Sequence, residues 1–131
     1  MSVEFFKDSA DEKRWRITDE ATPDGEPEIV HSCHEGFSTD AGALHNLFLN
    51  HAMMSAYVRG LAGSRTAVDR VQFDTGNDGK VWWKIDGANG ECIGKSHKGF
   101  PTKVAAVDNL IVTYTMLAMF VALHAQERNS E

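Results

Sequence analysis

Up to about residue 33 the chain runs in short apolar–polar alternations separated by turn residues. Residues 3–8 (VEFFKD) form a short strand pattern and residues 9–12 a turn. Residues 13–18 (KRWRIT) alternate bulky and charged side chains, which puts Trp15 and Ile17 on one face of a second strand. Residues 19–27 carry Pro23, Gly25 and Pro27 and read as a loop, and residues 28–33 (EIVHSC) as a third strand. Gly36 breaks the pattern, and Ser38 or Thr39 is placed to cap a helix. The apolar period then lengthens. Leu44, Leu47, His51, Met54, Val58 and Leu61 recur at steps of three and four, along one side of a long helix that ends at Gly60 and Gly63.

The same order then returns. Residues 68–74 are a strand, 75–79 a turn, 80–86 (KVWWKID) a strand, 87–90 a tight turn and 91–97 (ECIGKSH) a strand. A second helix runs from about 102 to 125, with the stripe Val107, Leu110, Tyr114, Leu117, Val121 and His124, each 63 positions beyond the first stripe. Trp15-Arg16-Ile17 reappears as Trp83-Lys84-Ile85, and His34-Glu35-Gly36-Phe37-Ser38-Thr39 as His97-Lys98-Gly99-Phe100-Pro101-Thr102. Ala43, Asn46 and Leu47 map onto Ala106, Asn109 and Leu110. The pattern predicts an α+β fold of two tandem β-β-β-α repeats, residues 1–63 and 64–131, sharing one core. Three strands and one helix make a marginal core alone, so the expected arrangement joins all strands in one antiparallel sheet with two long helices packed on one face.

Residues 110–123 (LIVTYTMLAMFVAL) carry no charge. A bilayer span needs about 20 apolar residues, so this run predicts a buried helix, and no membrane association is favoured. Ile111, Val112, Met116, Met119 and Phe120 lie off the main stripe, which leaves this helix apolar nearly all round. Covering it calls for a partner, and a homodimer with the second helix near the interface is expected.

Composition narrows the partners further. A net charge of −6 disfavours nucleic acid. Two cysteines, Cys33 and Cys92, are too few for a disulfide framework and fit a reducing, cytoplasmic compartment. No basic stretch followed by an apolar core opens the chain, so no signal peptide is expected.

The aromatic–basic strand Trp15-Arg16-Ile17, the strand Glu28-Ile29-Val30, the segment Glu35-Gly36-Phe37-Ser38-Thr39 and the turn Asn89-Gly90-Glu91 together resemble the YegP-like family, small proteins of unknown function. The resemblance covers most of residues 3–46 and 71–110. It implies three strands, a helix and a following strand per unit, in one sheet with strand exchange between units. It implies no catalytic residue, and no cofactor is expected.

Candidate chemistry is sparse. His31, Cys33, His34 and His97 are the densest set of metal-capable side chains, but on a strand His31 and Cys33 face one way and His34 the other. His51 and Tyr114 align across the repeat and, with Trp15 and Trp83, are candidates to line a pocket between helices and sheet. Trp82 and Trp83 are neighbours that point to opposite faces, so one can be exposed to stack a ligand. Met53, Met54, Met116 and Met119 sit at helical spacing as core filling. No nucleophile with a matched base, no phosphate-binding glycine loop and no His-Glu-x-x-His occurs. The expected role is non-enzymatic, through self-association or binding of a partner or small ligand. The alternative is a metal-dependent or ligand-processing activity around His31, Cys33, His34 and His97.

Overall fold

Residues 1–20, 27–61, 63, 70–87 and 89–129 are described by the computed structural model. Residues 21–26 of the loop expected over 19–27, the link over 64–69 with the start of the strand expected over 68–74, and position 88 of the second tight turn lie outside them. Strands β1 (Ser2–Lys7), β2 (Lys13–Asp19) and β3 (Glu28–Ser32) precede helix α1 (Asp40–Leu61). Strands β4 (Val71–Thr75), β5 (Val81–Asp86) and β6 (Cys92–Lys95) precede helix α2 (Lys103–Asn129).

Turn chemistry sets both first hairpins. Asp8 N donates to Glu12 O and Asp11 N to Asp8 O; Gly76 N donates to Lys80 O and Gly79 N to Gly76 O. Asp11 and Gly79 both adopt positive φ, 67° and 77°. Glycine does this at no steric cost, and Asp is among the few other residues that tolerate it. The middle strands then pair in matching register, Phe5 with Trp15 and Phe73 with Trp83. Each middle strand also carries an irregularity toward its third strand, after Ile17 and after Ile85.

One expectation fails. The described strands form two three-stranded antiparallel sheets, β1-β2-β3 and β4-β5-β6, where one continuous sheet was expected. Strand exchange between units is likewise absent from the described residues, and no strand follows α2. A continuous sheet needs the backbone of one edge strand to pair with that of another. Here the Val30 carbonyl of β3 accepts from Asn109 Nδ2, and the Ile93 carbonyl of β6 accepts from Asn46 and Asn50 Nδ2. Val30 and Ile93 are the residues that the irregularities leave out of the β2–β3 and β5–β6 registers, and helix side chains satisfy their carbonyls.

The helices do not share one face of a single sheet either. Helix α1 lies on β2 and reaches β4, β5 and β6, while α2 lies on β5 and reaches β1 and β3. Their fully buried positions are Ala43, Leu47, Asn50 and Met54 in α1, and Ala106, Leu110, Thr113 and Leu117 in α2, each pair 63 residues apart. This is one step round from the expected stripe: Leu61 is exposed, and His51 and Tyr114 are half-buried. Trp15, Ile17, Trp83 and Ile85 close the core from the middle strands, as their alternation required.

Candidate functional site

Trp15 and Trp83 are fully buried, and their indoles are bound in equivalent ways. Trp15 Nε1 donates to Asn46 Oδ1 at 3.0 Å, and Asn46 Nδ2 donates to the Ile93 carbonyl at 2.9 Å. Trp83 Nε1 donates to Asn109 Oδ1 at 2.9 Å, and Asn109 Nδ2 donates to the Val30 carbonyl at 2.9 Å. Each asparagine therefore ties the tryptophan of its own half to the third strand of the other half. Apolar counting misses this arrangement, because an asparagine on a helix reads as a surface residue; the sequence signal was the alignment of Asn46 with Asn109.

His31 fills the space between the two tryptophans. Its ring centroid lies 5.3 Å from that of Trp15 and 4.9 Å from that of Trp83. It is fully buried, and neither Nδ1 nor Nε2 has a hydrogen-bond partner. Burial, with lesser contributions from His97 and His34, pushes its pKa down to about 3, so the ring is neutral at ordinary pH.

Among the described residues the remaining candidate ligands do not complete a group of three with His31. Cys33 is buried beside His31, as the pleat dictates, while His34 is exposed. The Cys33 thiol donates to the Glu35 carbonyl at 3.2 Å and receives the Trp15 amide at 3.3 Å; burial pushes its pKa up. A protonated thiol already engaged this way is a poor metal ligand. Ser96 repeats the arrangement opposite Trp83, its hydroxyl donating to the Lys98 carbonyl at 2.9 Å and accepting from the Trp83 amide at 3.3 Å. This matches a backbone-clasping role for Cys33. His97 is half-buried and its pKa is lowered, chiefly by burial. Among the described residues no group of three His, Cys, Asp or Glu side chains gathers as a metal site needs.

His51 stacks on Tyr114 with ring centroids 5.6 Å apart and planes within 9°. Burial lowers the His51 pKa. The four residues expected around one pocket thus fall into two groups, Trp15 and Trp83 around His31, and His51 on Tyr114.

Trp82 is the outward member of its pair. With Asp74, Asp78, Lys84, Cys92 and Lys95 it lines a hollow of about 770 Å³ on the second sheet. Lys95 Nζ lies 4.7 Å from the Trp82 ring centroid, and Lys84 Nζ is 3.7 Å from Asp74. The corresponding position in the first half is Arg14, which is used structurally, donating to Asp8 at 2.6 Å and to the Cys33 carbonyl at 3.3 Å.

Helix α2 presents the other distinctive surface. Val104, Ile111, Met119 and Leu123 are 70%, 37%, 54% and 57% exposed. By length and composition the helix could cross a membrane, yet Ala106, Leu110, Thr113 and Leu117 on its other side are buried in the core.

The order of strands and helices, the split sheets and the two long helices can be compared with solved structures. The solution structure of YegP from Escherichia coli, a protein of unknown function, matches 88% of this chain and 84% of its own, with a TM-score of 0.63 and 16% identity. The chain has the YegP fold. A UPF0339 protein from Shewanella oneidensis matches equally widely, over 88% of this chain and 83% of its own, with a TM-score of 0.61 and 15% identity. No family model matches the sequence, and no curated protein does. At such identities the YegP likeness establishes the fold and transfers no residue role.

Proposed function

We propose that this YegP-fold protein is a non-enzymatic module that acts by self-association, two copies pairing through the outer face of α2. The exposed apolar stripe of α2 carries this reading. Val104, Ile111, Met119 and Leu123 follow helical spacing, with the exposed Asp108, Thr115 and Ala122 between them. The Thr115 hydroxyl donates to the Ile111 carbonyl at 2.9 Å, so the polar group at the centre of the stripe is already paired within the helix. An antiparallel pair centred on Thr115 sets Ile111 of each copy against Met119 of the other, a self-complementary contact of the kind a twofold dimer needs. It also opposes the two helix dipoles. The free thiols of Cys33 and Cys92 fit a reducing, cytoplasmic setting. The same reading takes the chain as two tandem units, residues 1–63 and 64–131. In its support, the helix caps, buried helix positions and tryptophan–asparagine bonds recur at fixed offsets.

Analytical ultracentrifugation of the full chain tests the proposal. The expected result is a dimer that Ile111→Arg and Met119→Lys each convert to a monomer with an unchanged circular dichroism spectrum. A wild-type monomer at high concentration would overturn the reading. So would a monomer that co-sediments with phospholipid vesicles and loses that association in the same variants.

A further inference from the structure

We infer that the hollow over Trp82 is a binding site for a small planar aromatic anion, its ring stacked on the indole and its negative group held between Lys84 and Lys95. This site lies on β5 and β6 and does not depend on how α2 is covered.

Three observations converge on it. First, Trp82 has no role in the core: the inward pair, Trp15 and Trp83, fill it, and strand alternation turns Trp82 outward. Second, the ring is held in place. A Cβ on Gly99 would lie 2.7 Å from Trp82 Nε1 and 3.1 Å from Cε2, and one on Gly76 would lie 3.8 Å from Nε1. The backbone therefore closes on one edge of the indole at two glycines, which presents a fixed stacking surface at little entropic cost on binding. Third, Lys84 and Lys95 are directly paired across β5 and β6. Like charges in that relation destabilise a sheet. The equivalent pair in the first half is Arg16 with Ser32, so the fold itself does not require two cations there.

An anion between the two ammonium groups relieves their repulsion. Lys95 Nζ lies over the face of the indole, so a ring stacking there displaces the ammonium toward the ligand's negative group. Asp74 partners Lys84, and Asp78 is engaged at the turn, accepting from the Lys80 amide at 3.0 Å. Both carboxylates stand at the side of the hollow away from β6, where they repel an anion's charged end and so orient it toward Lys95. At about 770 Å³ the hollow suits a ligand of one or two fused rings.

Two sources supply this chemistry, an aromatic carboxylate and a mononucleotide, and the experiment has an arm for each. The indole N–H resonance of Trp82, assigned with Trp82→Phe, is followed by NMR as 2-naphthoate or adenosine monophosphate is added to the full chain. The neutral analogues 2-naphthylmethanol and adenosine serve as controls. A saturable shift with either anion and none with its neutral analogue is expected, weakened about tenfold or more by Lys84→Gln and by Lys95→Gln. Unchanged Trp15 and Trp83 resonances confirm that the variants are folded. No shift with either anion, an equal shift with the neutral analogues, or full binding in both lysine variants overturns the inference.

Discussion

Gly94 stands in β6 where His31 stands in β3, and Asn50 stands in α1 where Thr113 stands in α2, both at an offset of 63. The two exchanges belong together. A Cβ on Gly94 would collide with Asn50 Oδ1, and Asn50 cannot swing aside because it is fully buried with Nδ2 bound to the Asn46 and Ile93 carbonyls. Gly94→Ala is expected to cost about 1–3 kcal/mol in urea denaturation, as overpacking of a filled interior does. Adding Asn50→Thr, the residue of the other half, should return part of the loss. His31 makes a second residue-scale prediction. In the unfolded chain it takes up a proton near pH 6.5, but in the folded chain only near pH 3. Between these values the unfolded state holds the extra proton, so stability falls as pH falls, by up to about tenfold in the folding equilibrium per pH unit. His51 and His97, also lowered, act in the same sense. Above pH 6.5 His31 adds no slope. Denaturation at pH 7 and pH 5 should show a smaller loss for His31→Phe than for the wild type. None of this was legible beforehand, because periodicity assigns His31 to a face without saying that two tryptophans will close over it.

At the scale of elements, strands and helices follow from the pattern with boundary shifts of a few residues. The helix starts show why. Of the two cap candidates, Thr39 is the one used: its Oγ1 accepts from the Gly42 amide at 3.0 Å, and Thr102 Oγ1 accepts from the Ala105 amide at 3.1 Å. Phe37 and Phe100 precede them, each bridged to the start of a middle strand, at Lys13 and at Val81. The chain is thus held on both sides of each cap. Thr39→Ala and Thr102→Ala are each expected to lower stability by about 1 kcal/mol, read by thermal unfolding followed at 222 nm. Sheet assembly was less legible. Alternation within a strand fixes which face is buried, but it does not say which edges pair, nor that Asn46 and Asn109 will reach the third strands of the opposite halves. The same blindness to polar groups set the expected helix stripe one step off, since Asn50 and Thr113 belong to the buried side.

For the molecule as a whole, the two halves are bound by complementary debts. The tryptophan of each half reaches the third strand of the other through an asparagine on its own helix. A half on its own would leave a carbonyl of its third strand without that donor, and the second half alone would leave Trp83 without His31 against its ring. Residues 1–63 expressed alone are therefore expected to show no cooperative unfolding transition, whereas the full chain unfolds as one unit. The outer surfaces are not bound by this reciprocity, and they are where the halves differ. Arg14 is spent on Asp8 where Trp82 faces the hollow, and Ser32 stands where Lys95 completes a pair of cations.

Since the halves are joined by packed helices, a shared core and a reciprocal pair of stitches more than by the peptide link between them, covalent continuity should be dispensable. Two separately made polypeptides, one ending at residue 63 and the other beginning at 64, should rebuild the native body when mixed. The penalty would be the entropy of their meeting, and dilution would undo what the intact chain cannot.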